Sequence, residues 1–373
     1  MLPIIDVRSL TSPSARGEAY GAQARAQIQR SMATYTRVFA SNNIGWREAG
    51  QRARRYLEPI ATIDATLIEE MEGIARGAGV ELEDILALNC RSEILPSTFL
   101  KIFGDGQPEV NECTSLVASA SGGSTDGQTW LAQNWDWVGL QRQALVVLQT
   151  QDRHGMPIDT LTEAGMLAKI GMNRAGLAVG LNMLRSKRDG LRSGVPVHVL
   201  LRHSLSCSTL QEVRTLFADL MQGVGFASAS NMPCADAQGD VGSFEFSPAG
   251  WEELQPTAGI AVHTNHFVCP SLVGQQAPME CSLSTESRLR CARSYAARGP
   301  ISPETIQALL RDESMGDCSV CRHPNPDLPE EGRVVSVVAV MLNCTARRWW
   351  LAFGIPSTTT FDELHLPIPQ QLA

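Results

Sequence analysis

A chain of 373 residues with 43% hydrophobic and 19% charged positions has enough apolar material for a large packed core, and disorder is not the default for this composition. Its net charge of −8 is spread along the sequence without a basic stripe or polybasic tail, which argues against nucleic acid and anionic membrane surfaces as partners. No apolar run reaches the ~20 residues of a membrane span, and Met1-Leu2-Pro3-Ile4-Ile5-Asp6 lacks the features of a secretory signal. The expectation is a cytoplasmic protein whose ten cysteines stay as free thiols. The terminal Gln371-Leu372-Ala373 is no peroxisomal address.

In chain order, helical spacing predicts helices over 15–39, 46–57 and 64–78. The last of these sets Leu67, Met71, Ile74 and Ala75 on one face with Glu69, Glu70 and Glu72 opposite, and Gly79 ends it. A short helix over 83–88 leads into Asn89-Cys90-Arg91-Ser92-Glu93. From Cys113 onward the pattern changes to short β-branched or apolar runs, predicting strands at 114–120, 129–135, 144–150 and 177–183, with a hairpin turn at 121–127. Helices follow at 196–206 and 209–221, then strands at 226–236, 243–247 and 260–264. Helices at 286–297 and 303–311 and strands at 334–342 and 349–353 complete the chain. Two batches of strands around a helical pair suit two stacked antiparallel sheets covered by helices, with the first ~110 residues as an additional helical layer.

Cys113 stands out among the cysteines. It opens a strand, it follows the polar Gly104-Asp105-Gly106-Gln107-Pro108 stretch, and Thr114 and Ser115 offer hydroxyls beside it. Cutting the Glu112–Cys113 bond would make it an N-terminal residue carrying both a thiol and an α-amine. The amine's pKa near ~8 suits a general base at neutral pH.

Taken together, Asn89–Glu93, Glu112-Cys113-Thr114-Ser115, Gln133-Asn134-Trp135-Asp136-Trp137, Thr162-Glu163-Ala164-Gly165, Lys169–Asn173, Gly180-Leu181-Asn182, His263-Thr264-Asn265-His266-Phe267 and Ser319-Val320-Cys321-Arg322-His323 resemble the isopenicillin-N acyltransferase family of N-terminal-nucleophile hydrolases, over roughly residues 65–355. The resemblance implies an α+β fold, a four-layer αββα sandwich with an additional N-terminal helical segment. It also implies self-cleavage into an α segment, residues 1–112, and a catalytic β segment, residues 113–373, which stay associated.

Carried over, the resemblance makes Cys113 the nucleophile, Asp136 the acid that orients the new amine, Asn265 the side-chain donor to the oxyanion and Arg322 an arginine near the catalytic centre. Asn134 and His263 support them, and Arg91 and Glu93 are expected to form a structural ion pair. Glu112 departs from the glycine that precedes the nucleophile in the best-known members. The implied substrate is a small acylated amine or amino acid. No cofactor or metal is expected, though a coenzyme A thioester is an alternative acyl donor and β-lactam acyl exchange an alternative reaction.

Three other readings compete. Cys113 with His263 or His266 would make an unprocessed Cys/His hydrolase. Cys318-Ser319-Val320-Cys321 with His323 invites a zinc or redox reading, for which Cys281 and Cys291 are the nearest further ligands. An inactive binding scaffold is the third.

Overall fold

Every position of the strand Trp130–Val138 is buried, and so is every position of Val334–Asn343. Strands with no solvent face need a layer on each side, and the computed structural model supplies both. It describes residues 2–95, 112–278 and 282–366; the Gly104–Pro108 stretch, Cys281 and the terminal tripeptide lie outside them.

The strands are β1 (Ile4–Asp6), β2 (Glu112–Ala118), β3 (Trp130–Val138), β4 (Leu145–Gln151), β5 (Pro157–Glu163), β6 (Ile170–Asn173), β7 (Ala178–Val179) and β8 (Asn182–Met183). They continue with β9 (Ser230–Ala235), β10 (Val241–Ser247), β11 (Gly250–Leu254), β12 (Ile260–His263), β13 (Val334–Asn343), β14 (Arg348–Ala352) and β15 (Asp362–Leu364). The helices are α1 (Pro13–Gln23), α2 (Arg25–Ser41), α3 (Trp46–Ala53), α4 (Leu57–Asp64), α5 (Thr66–Ala78), α6 (Leu82–Asn89) and α7 (Arg91–Ile94). After the first sheet strands come α8 (Val197–Ser204) and α9 (Leu210–Gln222), then α10 (Ser282–Ala296) and α11 (Pro303–Leu310).

Sheet A runs β1-β4-β5-β6-β7-β9-β10-β11, with β8 also on β9, and sheet B runs β12-β2-β3-β13-β14-β15. All pairings are antiparallel except β1 with β4. The sheets meet face to face through polar clamps: Ser115 Oγ donates to Asn182 Oδ1 (2.7 Å), and the Gln133 amide exchanges two bonds with the backbone of Leu181. That clamp explains why the apolar run 177–183 splits into β7 and β8, since a Cβ on Gly180 would lie 2.4 Å from Gln133 Oε1.

Helices cover both outer faces, so the order is αββα. On sheet A, the Phe217 ring of α9 packs against Phe244, Phe246 and Trp251 with centroids 5.1–5.7 Å apart. On sheet B, Leu289 and Ala292 of α10 and Ile306 and Leu309 of α11 share one apolar cluster with Leu116, Ala118 and Trp130. The helices before residue 95 join the layer over sheet A: Tyr20 donates to the Met166 carbonyl and Tyr35 to Glu163. Helices α1 and α5 cross at van der Waals contact through Gly17 and Gly21 against Gly73 and Gly77, where a Cβ would come within 2.0–2.3 Å of a backbone oxygen.

The predicted helix over 15–39 is two helices meeting at Ala24; β1, β5, β6, β11 and β15 were not foreseen; and Glu70, expected on the polar face of α5, is instead buried because it pairs with Arg202 of α8 (3.4 Å). The described cysteines are all free thiols, and no helix among the described residues is long and apolar enough to cross a membrane.

Candidate active site

Cys113 sits one residue inside β2, between β12 and β3, with Trp135 as its register partner. Successive strand residues point to opposite faces, so its thiol faces sheet A alongside Trp135 while Thr114 faces α10. The residue is 7% exposed. Its backbone is held from both sides: the N–H donates to Asn265 Oδ1 at 2.7 Å, and the carbonyl accepts from Arg288 Nη1 at 2.6 Å. Asn265 follows the end of β12, and its own N–H is fixed by Thr285 Oγ1 of α10 (2.8 Å). One helical turn further, Arg288 also reaches Thr114 Oγ1 (3.2 Å) and Asn265 Oδ1 (3.1 Å). With Oδ1 taken by two donors, the Asn265 amide orientation is fixed, and Nδ2 donates to the Met183 carbonyl (3.0 Å). Burial lowers the Arg288 pKa, while Asp136 and Cys113 favour its charge.

Arg288 was not foreseen. The only signal for it is positional: Ser284, Arg288 and Ala292 lie four apart on the buried stripe of α10, and a charge on such a stripe requires partners.

Asp136 lies across from Glu112 in the β2–β3 register and on the α10 side of sheet B. Ser336 Oγ donates to its Oδ1 at 2.6 Å, and its Oδ2 is buried with no hydrogen-bond partner among the described residues. Burial pushes its pKa up to about 7, against the opposing pull of Arg288 and Ser336. Arg322 is joined to this group by its backbone. Its N–H donates to Ser336 Oγ (2.9 Å) and its carbonyl accepts from the Ser336 N–H (3.0 Å), while burial lowers its guanidinium pKa to about 10.

The inward face is different. Cys113, Asp136, Trp135, Trp137, Arg91 and Lys169 border a cavity of about 10 Å³, measured as the volume open to a water's centre. That is room for a single water. Lys169 Nζ lies 3.4 Å from the Trp135 ring centroid and 3.6 Å from Glu163 Oε2. Glu163 also accepts from Arg91 (3.0 Å) and from the Tyr35 hydroxyl (2.5 Å), and Arg91 stacks over Tyr35 and Trp137. Burial would raise the Glu163 pKa, but Arg91, Lys169 and Tyr35 together bring it to about 2. Burial lowers Lys169 to about 7 and raises Cys113, whose thiolate Lys169 favours most among its neighbours.

The expected Arg91–Glu93 ion pair does not form. Residues two apart on a helix point in different directions. Arg91 turns to Glu163, and Glu93 accepts instead from the Val197 N–H (2.9 Å) at the start of α8 and from Ser228 Oγ (2.7 Å), complementing the helix dipole.

Asn134 donates to the Leu310 and Val320 carbonyls, pinning β3 to the outer layer. His263 has both ring nitrogens engaged, Nε2 with Glu245 (2.7 Å) and Nδ1 with the Thr264 carbonyl (2.9 Å), and His266 Nδ1 faces Thr285 and Thr264. Neither histidine is arranged as the base of a Cys113 dyad. In the CxxC segment, the ligand atoms of Cys321, His323 and Glu313 lie within 4.8 Å of one another without Cys318, so among the described residues no four-ligand zinc centre is formed.

The sequence profile of the family described as acyl-coenzyme A:6-aminopenicillanic acid acyl-transferase matches residues 123–358. The 40 kDa form of acyl-coenzyme A:6-aminopenicillanic-acid-acyltransferase from Emericella nidulans is 29% identical over 318 residues, which cover 83% of this chain and 82% of that protein. Among solved structures, the penicillin V acylase of Agrobacterium tumefaciens is similar over 67% of this chain and 84% of its own, with 14% identity and a TM-score of 0.40. A mutant conjugated bile acid hydrolase of Clostridium perfringens is similar over 68% of this chain and 97% of its own, with 11% identity and a TM-score of 0.43.

Proposed function

The chain belongs to the acyl-coenzyme A:6-aminopenicillanic acid acyl-transferase family, and from that premise we propose that it is a self-processing cysteine N-terminal-nucleophile enzyme that cuts the amide bond of a small N-acylated amine. The observation that carries this reading is the grip on Cys113: Asn265 on its nitrogen, Arg288 on its carbonyl, and a thiol left facing a separate cavity. A residue held on both sides of its Cα keeps its position when the bond before it is cut.

In turnover the α-amine of Cys113, with a pKa near ~8, takes the thiol proton, and Sγ attacks the acyl carbonyl. Asn265 keeps its orientation and donates from Nδ2 to the oxyanion in place of the Met183 carbonyl, Asp136 orients the amine, and the leaving amine departs with the proton as a thioester forms. Water then hydrolyses the thioester and returns the thiol. Arg322 acts at one remove, through Ser336, on Asp136.

A second reading has a coenzyme A thioester as acyl donor and an amine as acceptor. The description of the Emericella relative supports it. The two readings share the thioester on Cys113 but differ in what leaves as it forms, an amine or the coenzyme A thiol, and in what then accepts the acyl group, water or an amine; we favour hydrolysis.

Intact-mass analysis of purified wild type beside Cys113→Ala tests the reading. The expected result is two fragments meeting at Glu112/Cys113 in the wild type and one uncut, inactive chain in the variant. An active wild type in which no polypeptide starts at Cys113 would overturn it.

A further inference from the structure

Self-cleavage raises a question of proton transfer that turnover does not. Until the Glu112–Cys113 bond breaks, the nitrogen of Cys113 is an amide that donates to Asn265 Oδ1, and an amide has no basic lone pair for the thiol proton. Another group must take that proton once.

The surroundings of the thiol leave few choices. His263 is engaged at both nitrogens, by Glu245 and Thr264. Asp136 also borders the cavity, but strand alternation directs its carboxylate to the α10 side of sheet B, where Ser336 donates to it, away from the thiol. Glu163 is fully committed to Arg91, Lys169 and Tyr35. Lys169 remains: its side chain is buried over Trp135, the register partner of Cys113, and it borders the same one-water cavity as the thiol.

We propose that Lys169 is the base of the self-cleavage step, taking the Cys113 thiol proton directly or through the single water the shared cavity admits, and that the α-amine released by that step takes over for turnover. This rests on the self-processing reading above.

The step balances. The neutral Nζ accepts the proton from Sγ–H, giving an ammonium and a thiolate, and the thiolate adds to the Glu112 carbonyl carbon. The carbon–nitrogen bond to Cys113 then breaks, and its nitrogen takes the proton back from Lys169. The products are a Glu112 thioester on Sγ, a free amine on Cys113 and a neutral lysine. Water then opens the thioester to a Glu112 carboxylate and the free thiol.

Lysine can play this part only if a useful fraction is neutral. Its burial works in that direction, as does Arg91 on α7, whereas Glu163 on β5 and the Cys113 thiolate on β2 favour the ammonium; the His198 ring on α8 is kept neutral by its own burial. Asp136 on β3 borders the cavity too, and Tyr35 on α2 reaches it through Glu163. The balance puts the group at about 7, so at pH 8 most of it is neutral. Once protonated it lies beside the thiolate it has made, a pairing a low-dielectric cavity strengthens.

The test uses the full-length chain, made by cell-free synthesis so that the uncut form can be followed by intact mass over time from pH 6 to 9. Wild-type cleavage should accelerate as pH rises through about 7. Lys169→Met should slow it by about 100-fold or more and remove that rise. Lys169→Ala should be accelerated by added ethylamine, which enters the space left and supplies the missing base. A Lys169→Met chain that cleaves at the wild-type rate with the wild-type pH profile overturns the assignment and leaves self-processing standing. A slow Lys169→Ala chain that no primary amine accelerates makes Lys169 a packing residue and overturns it as well. A wild type that never cleaves sinks the self-processing reading, and this inference with it.

Discussion

The amide nitrogen of Cys113 and the side-chain oxygen of Asn265 lie 2.7 Å apart, a bond that fixes which end of the Asn265 amide is left to serve substrate. Its nitrogen rests on the Met183 carbonyl, and in the proposed mechanism it would become the oxyanion donor once substrate displaces that contact. Asn265→Ala should therefore lower kcat roughly 10²- to 10³-fold with a smaller change in KM, measured on a pre-cleaved preparation. Arg288→Lys should not be conservative, because one ammonium cannot span the Cys113 carbonyl, Thr114 and Asn265 together.

Asp136 sets function against stability. Its folded pKa of about 7 is above the ordinary ~3.9 of an unfolded aspartate, so between those values the unfolded chain gives up a proton that the folded one keeps. Stability from this group is present below about pH 4 and lost as pH rises toward 7. Asp136→Asn should raise thermal stability at pH 8, by at most about 4 kcal/mol, and change it little at pH 4. The same variant should lose most activity. Melting curves at the two pH values with a parallel activity assay check both.

Glu163 behaves in the opposite sense. Held at about 2 against ~4.3 when unfolded, it contributes stability that is complete above pH 4.3 and is lost as pH falls toward 2. Glu163→Gln leaves Arg91 and Lys169 buried without their counter-charge, which costs about 3–5 kcal/mol. Urea titration at pH 7 should reveal that loss, and the gap between variant and wild type should narrow at pH 3.

Backbone contact between α1 and α5 makes Gly17 and Gly73 intolerant of a methyl group. A Cβ at Gly17 would lie 2.0 Å from the Glu70 carbonyl oxygen, and at Gly73 2.3 Å from that of Ser14. Gly17→Ala and Gly73→Ala should each destabilise by about 1–3 kcal/mol, although alanine is the better helix former. Thermal melts of the Cys113→Ala background measure this without interference from cleavage.

What the sequence offered at the candidate site were contiguous motifs: the family resemblance singles out Cys113, Asp136 and Asn265, and the fold sets Asn265 on the Cys113 nitrogen and Asp136 across from Glu112. The cation on the Cys113 carbonyl was not legible there. Arg288 lies in Ser282–Ala296, whose many serines and arginines look like a solvated helix, and only the packing of α10 on sheet B makes one face of it interior. Arg91 was assigned a neighbour in sequence when its true partner is seventy-two residues on, because side-chain direction, not proximity along the chain, chooses an ion pair. Strand β1 escaped notice for a related reason: three residues have no periodicity to read, and only pairing with β4 makes them a strand.

That small strand bears on what the proposed cleavage would do. Ile4, Ile5 and Asp6 lie on one side of the Glu112–Cys113 bond and Val147, Leu148 and Gln149 on the other, so one hydrogen-bonded ladder is shared between the two halves. Once the bond is broken, the halves are a heterodimer in all but origin, and unfolding becomes dissociation. The precursor's melting point should be indifferent to protein concentration, whereas that of the matured enzyme should climb with it. Dilution would then weaken the processed form and leave the precursor untouched.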